Sequence, residues 1–143
     1  MIIGPYNAET ILDEWRWDKF TVKEFMCQCG CGMVKVDTVF MDRLTTVRQF
    51  AKVAMPVTSG YRCPSHNIKI SATESAVGPH TTGRAADVSA THKHAFEIVS
   101  AAFLCGMTGI GMRQVGNKRF IHLDDLDNIE GKQPRPHVWT YNG

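Results

Sequence analysis

The chain has 143 residues, 43% of them hydrophobic and 21% charged, with a formal net charge of +2. That length suits one domain with one core, and the composition is that of an ordinary globular protein. Scattered charge this close to neutral leaves no footprint for nucleic acid. No apolar run approaches the ~18 residues of a membrane span, and the N-terminus lacks the basic and apolar regions of a signal peptide.

In chain order, residues 8–17 read as a short helix carrying Trp15 and Trp17, which the pattern assigns to packing. Thr21 and Glu24 form a capping box, so a brief helix leads into the cluster Cys27-Gln28-Cys29-Gly30-Cys31-Gly32. Asp37 is placed to cap a longer helix, in which Phe40, Leu44, Val47, Ala51 and Ala54 recur at helical spacing before Pro56. Residues 56–61 read as a strand with Arg62 at its exit, residues 64–70 as a helical turn, and residues 84–89 as a strand holding Asp87. Residues 92–105 form a second amphipathic helix, with Phe96, Val99 and Phe103 expected inward and Gly106 as the stop. Residues 107–114 and 118–124 suggest a hairpin around Gly116-Asn117, and residues 137–141 a last strand with Trp139. Helices followed mostly by strands predict an α+β fold, a small antiparallel sheet flanked by helices.

The chemistry concentrates in two of these segments. In Gly78-Pro79-His80-Thr81-Thr82-Gly83-Arg84-Ala85-Ala86-Asp87-Val88, a histidine, a glycine bend and a carboxylate lie in an apolar setting. A carboxylate among Ala and Val needs something to bind it, and Zn²⁺ accepts both imidazole nitrogen and carboxylate oxygen. The second segment, Phe120-Ile121-His122-Leu123-Asp124-Asp125, alternates like a strand, so His122 and Asp124 share one face. His80, Asp87 and His122 are therefore candidate metal ligands. Two His and one Asp leave a fourth position open for water, the layout of a catalytic zinc site.

A third motif, Thr58-Ser59-Gly60-Tyr61-Arg62-Cys63-Pro64, precedes these two. With the His/Gly/Asp segment and the His-x-Asp strand following in that order, residues 20–141 resemble the zinc D-Ala-D-Ala carboxypeptidase family, which cleaves peptidoglycan stem peptides. The wider superfamily includes phage L-alanyl-D-glutamate endopeptidases and the hedgehog signalling domain. The resemblance implies one Zn²⁺ on His80, Asp87 and His122, with Arg62 holding a substrate carboxylate or carbonyl. It implies a monomeric peptidase acting on the cell wall, a phage lysis enzyme made in the host cytoplasm or a part of the virion. A hedgehog-like zinc fold that binds without cutting, or an inert virion component, is the competing expectation.

Many family members carry an acidic general base three positions before the last His ligand, where this chain has Arg119. Asp124 is the first choice to replace it, because it shares a strand face with His122. Asp125 is the second. Asp124 has an alternative role, orienting His122 or pairing with Lys118 or Arg119. His66, His137 and Trp139 are placed as further substrate contacts, while His92 and His94 read as solvated. The cysteines leave three readings open: half of a structural zinc site completed by Cys63, disulfides formed outside the cell, or reduced thiols in a Gly-rich turn. Cys105 reads as core.

Overall fold

The computed structural model describes residues 1–71 and 75–141. It is α+β, with two sheets and five short-to-medium helices. The smaller sheet pairs β1 (Ile2–Asn7) antiparallel with β2 (Met33–Asp37), burying Ile3, Val34 and Val36. The larger has the order β3 (Val57–Ser59), β4 (Ala85–Ser89), β6 (Phe120–Asp124), β5 (Gly109–Arg113), β7 (His137–Thr140). Its pairings are antiparallel except the last: β7 runs parallel to β5, so the expected all-antiparallel sheet is mixed.

The helices follow their caps. α1 (Ala8–Ile11) and a 3-10 turn over Leu12–Glu14 end short of the expected residue 17. Trp15 and Trp17 lie in the following loop, where the Trp15 indole donates to the Phe20 carbonyl (2.9 Å) and that of Trp17 to Asp42 (2.8 Å). α2 (Val22–Phe25) has the predicted capping box, and the second oxygen of Glu24 accepts from the Val57 amide at 2.7 Å, tying α2 to β3. Asp37 caps α3 (Thr38–Ala51) through the Phe40 amide. This helix closes at Lys52 in the left-handed region, so Ala54 lies outside it and is exposed. α4 (Pro64–Ile70) has its proline in the first turn, where no amide is needed.

α5 (His92–Leu104) forms where expected, with a different face inward. Ala95, Ile98, Ala101 and Ala102 are buried, whereas Phe96 and Phe103 are 70% and 58% exposed. From Ala95 onward every position but Glu97 is apolar or small, so periodicity alone does not fix its phase. Small alanines let α5 approach α3 and β6 closely, and the bulky rings are left outside.

The large sheet is two-faced. Ala86, Val88, Ile110, Ile121 and Leu123 belong to the main core with α3 and α5. Residues of opposite parity, Ala85, Asp87, His122, Asp124, Gly109 and Gly111, are cross-strand partners on the other face. No helix among the described residues is long and apolar enough to cross a membrane.

Candidate metal centre

Asp87 and His122 lie directly opposite each other on β4 and β6, the two strands at the middle of the site face. His80 arrives from the 3-10 turn Pro79–Thr81 and completes the group. One donor atom from each of His80, Asp87 and His122 falls within 4.8 Å of the others. All three residues are buried, with exposures of 5%, 8% and 2%.

The hydrogen bonds behind these side chains decide which atoms face inward. His80 Nδ1 is 2.8 Å from the Gly60 carbonyl, which can only accept, so Nδ1 carries the proton and Nε2 is left bare toward Asp87 Oδ1 at 3.4 Å. His122 Nε2 is 2.8 Å from Asp124 Oδ2, leaving Nδ1 facing Asp87 Oδ1 at 3.0 Å. One nitrogen from each ring and one carboxylate oxygen therefore converge on one point. Each imidazole is oriented from behind, as metal-ligating histidines are.

Electrostatics agree with a cation at that point. Burial works to raise the Asp87 carboxyl, but the neighbouring histidines, His80 foremost, hold it well below the usual carboxylate range. Burial pushes His80 down toward the neutral form that ligates metal. Burial also opposes the charged form of His122, but hydrogen bonds to Asp124 and Asp87 outweigh it and raise the ring.

Arg62 leaves the Ser-Gly-Tyr-Arg segment with its Nη2 3.5 Å from Asp87 Oδ2 and its Nε 3.3 Å from Ser59 Oγ. The segment docks from both sides. The Arg62 amide donates to the His80 carbonyl (3.1 Å), and the Tyr61 amide to that of Phe25 (2.9 Å). Gly60 is required between them, since a Cβ there would sit 2.5 Å from the Phe25 Cα. Trp139 walls the other side, its ring 5.1 Å from that of His122. Exposed His137 stacks on Trp139 at 5.4 Å, one step further out. Tyr141 adds a third ring, 6.4 Å from Trp139. Half-buried His66 sits on α4, and among the described residues nothing ties it to the triad.

Asp124 does not have the free carboxylate expected of a proton acceptor. It is 0% exposed. Oδ1 accepts from the Leu126 amide (3.3 Å) and Arg135 Nε (2.9 Å), and Oδ2 from Arg135 Nη2 (2.8 Å) and His122 Nε2. Burial would raise this carboxyl, but His122 and Arg135 bring it down to about 2. Its cation is Arg135, rather than Lys118 or Arg119, and the Arg119 guanidinium bonds the Gly116 carbonyl at the surface. Asp125 is also engaged, pairing with Arg84 at 2.9 Å and Arg43 at 3.4 Å. Sequence reasoning missed Arg135 altogether. It lies in the irregular stretch Pro134-Arg135-Pro136, where no periodicity marks it, and an unassigned cation between prolines was the one available signal.

Two oriented imidazoles and an ionised carboxylate, with a cation beside them and an aromatic wall opposite, define the donor set of a metal-dependent hydrolase. The Peptidase M15 family model matches residues 18–124, and the chain belongs to that family. The match takes in the triad and Arg62 and stops before Arg135, His137 and Trp139, whose placement rests on geometry alone. No curated protein and no solved structure gives a significant match.

Proposed function

We propose that this peptidase is a zinc enzyme that cleaves the stem peptides of peptidoglycan, acting as a monomeric phage lysis enzyme or a virion-associated peptidase. The observation that carries the reading is the convergence of His80 Nε2, Asp87 Oδ1 and His122 Nδ1 beside the Arg62 guanidinium. Zinc held there supplies Lewis acidity toward the scissile carbonyl and lowers the pKa of water toward ~7. The chain's own residues do the rest. Arg62 is fixed by its backbone and by Ser59, and its charge suits a substrate carboxylate or carbonyl oxygen. Trp139 and His137 form a wall along which a peptide lies. Asp124 acts as a positioning residue, holding His122 through Nε2 and itself held by Arg135.

The saturated state of Asp124 and the outward Arg119 favour one second reading, a zinc fold that binds peptidoglycan fragments without cutting them. Mass spectrometry of isolated peptidoglycan incubated with the zinc-loaded protein separates the two. Shortened stem peptides support the peptidase, and their masses identify the bond cut, whether by a carboxypeptidase or an endopeptidase. Intact stem peptides would leave the binding fold.

A further inference from the structure

Four of the five cysteines meet at a second point, outside the His/Asp site. Cys27 follows α2, Cys29 and Cys31 occupy the turn before β2, and Cys63 stands between Arg62 and α4. Gly30 and Gly32 take φ of 94° and 74°, a left-handed conformation that lets the Cys-Gly-Cys-Gly stretch fold back on itself. As a result the sulfurs of Cys27, Cys29, Cys31 and Cys63 all lie within 4.8 Å of one another.

The spacing discriminates among thiol chemistries. Cys27 and Cys29 sulfurs are 3.5 Å apart, and those of Cys29 and Cys63 are 3.6 Å apart. A disulfide needs ~2.05 Å. Four sulfurs around a tetrahedral zinc with bonds of ~2.3 Å are separated by edges of about 3.8 Å. The observed separations fall near that edge. The backbone is also arranged for thiolates. The Cys63 amide donates to the Cys27 sulfur at 3.3 Å, and backbone hydrogen bonds from Cys31 and Met33 reach the sulfurs of Cys29 and Cys31. Donors aimed at sulfur favour its ionised form, the form that binds metal; without a metal they prevail at Cys29, whereas burial pushes the Cys27 and Cys31 thiols up.

We propose that Cys27, Cys29, Cys31 and Cys63 hold a second zinc ion in a closed, structural site. Four thiolates fill the tetrahedron and leave no position for water, so this ion takes no part in hydrolysis. Its effect is mechanical. Cys63 is the neighbour of Arg62, and the other three ligands belong to the turn between α2 and β2, so the ion clamps the Arg62 loop to the N-terminal sheet. The sequence left this undecided because C-x-C-x-C is not the usual C-x₂₋₄-C spacing and Cys63 is remote in the chain.

Zinc counted per chain in reduced, full-length protein tests the site. Two ions are expected in the wild type, one in His80→Ala, and one in Cys29→Ser/Cys31→Ser. Cobalt substitution gives an independent readout. The intense sulfur-to-metal charge-transfer band of a four-thiolate site is expected in the wild type and in His80→Ala. Because that band needs no cysteine variant, the test survives if the serine variant fails to fold. No zinc in His80→Ala, a cobalt spectrum without the thiolate band, or a mass showing disulfides in the purified protein would each overturn the proposal. Both readouts persist in His80→Ala, so they are independent of whether the protein cuts peptidoglycan.

Discussion

Asp124 spends all its acceptor capacity on His122, Arg135 and one amide, so its substitution should act through the metal. Asp124→Asn is expected to weaken zinc binding by about 10- to 100-fold, with turnover per bound zinc retained. Chelator competition together with activity normalised to zinc content checks this, and full zinc with lost turnover would instead make Asp124 the proton acceptor. The same residue shapes the acid limit of the metal-free protein. Its folded pKa of about 2 lies below the unfolded value near 4, so the unfolded chain takes up the proton first. The resulting stabilisation, about 2 kcal/mol, is complete above pH ~4 and drains away as pH falls toward 2. Denaturant melts of wild type and Asp124→Asn should therefore converge across that window. Arg62 reaches Asp87 through the other oxygen, Oδ2. Arg62→Ala should keep its zinc and lose kcat/KM by roughly 30- to 1000-fold, the range for a charged hydrogen bond made to the reacting group. Unchanged hydrolysis would remove Arg62 from the site.

The elements explain why so much of the centre could be read from the chain and why the rest could not. β6 alternates cleanly because one face packs on helices and the other builds the site, so His122 and Asp124 announce their shared side. β1 was hidden by its Gly4-Pro5 pair, which reads as a turn, and β2 by its place between the Cys/Gly turn and the Asp37 cap, although Val34 and Val36 do alternate. β5 has a subtler signature. Gly109 and Gly111 lie on the site face, where a Cβ at 109 would overlap the Asp124 carboxylate. One at 111 would come within 2.5 Å of the Trp139 indole nitrogen and 2.8 Å of the Tyr141 ring. Spaced glycines in a strand mark close approach by something else, yet only the fold reveals what approaches. Gly111→Ala should displace Trp139 and Tyr141 while leaving the triad loaded, giving normal zinc content with a raised KM. Gly109→Ala should push on Asp124 instead, lowering zinc affinity and costing about 1–3 kcal/mol of stability.

Across the whole molecule, the metal ligands come from segments far apart in sequence, and each is tied down by a different neighbour. Gly60 holds His80, and the Gly83 carbonyl accepts from the Asp37 amide, joining the His80 turn to the N-terminal sheet. An ion bound across such segments stabilises only the folded state, so chelation should lower Tm. At a thousandfold excess of zinc over its Kd the linkage is worth about 4 kcal/mol, and calorimetry with and without chelator, on wild type and on His80→Ala, measures it apart from any ion on the cysteines. The long-range order of the sheet was less legible than its strands, because a parallel return such as β7 leaves no local pattern. That return has a kinetic consequence. β6 is bonded on both sides, by β4 and β5, whereas β7 is paired only with β5 at the sheet margin. Amide exchange should be slowest around His122, set there by global unfolding, and faster along His137–Thr140 through local opening. The cleft then has a stiff bank that carries Asp87 and His122 and a compliant bank that carries His137 and Trp139. A peptide entering such a cleft would be fitted by the strand that can lift away, while the triad keeps its geometry.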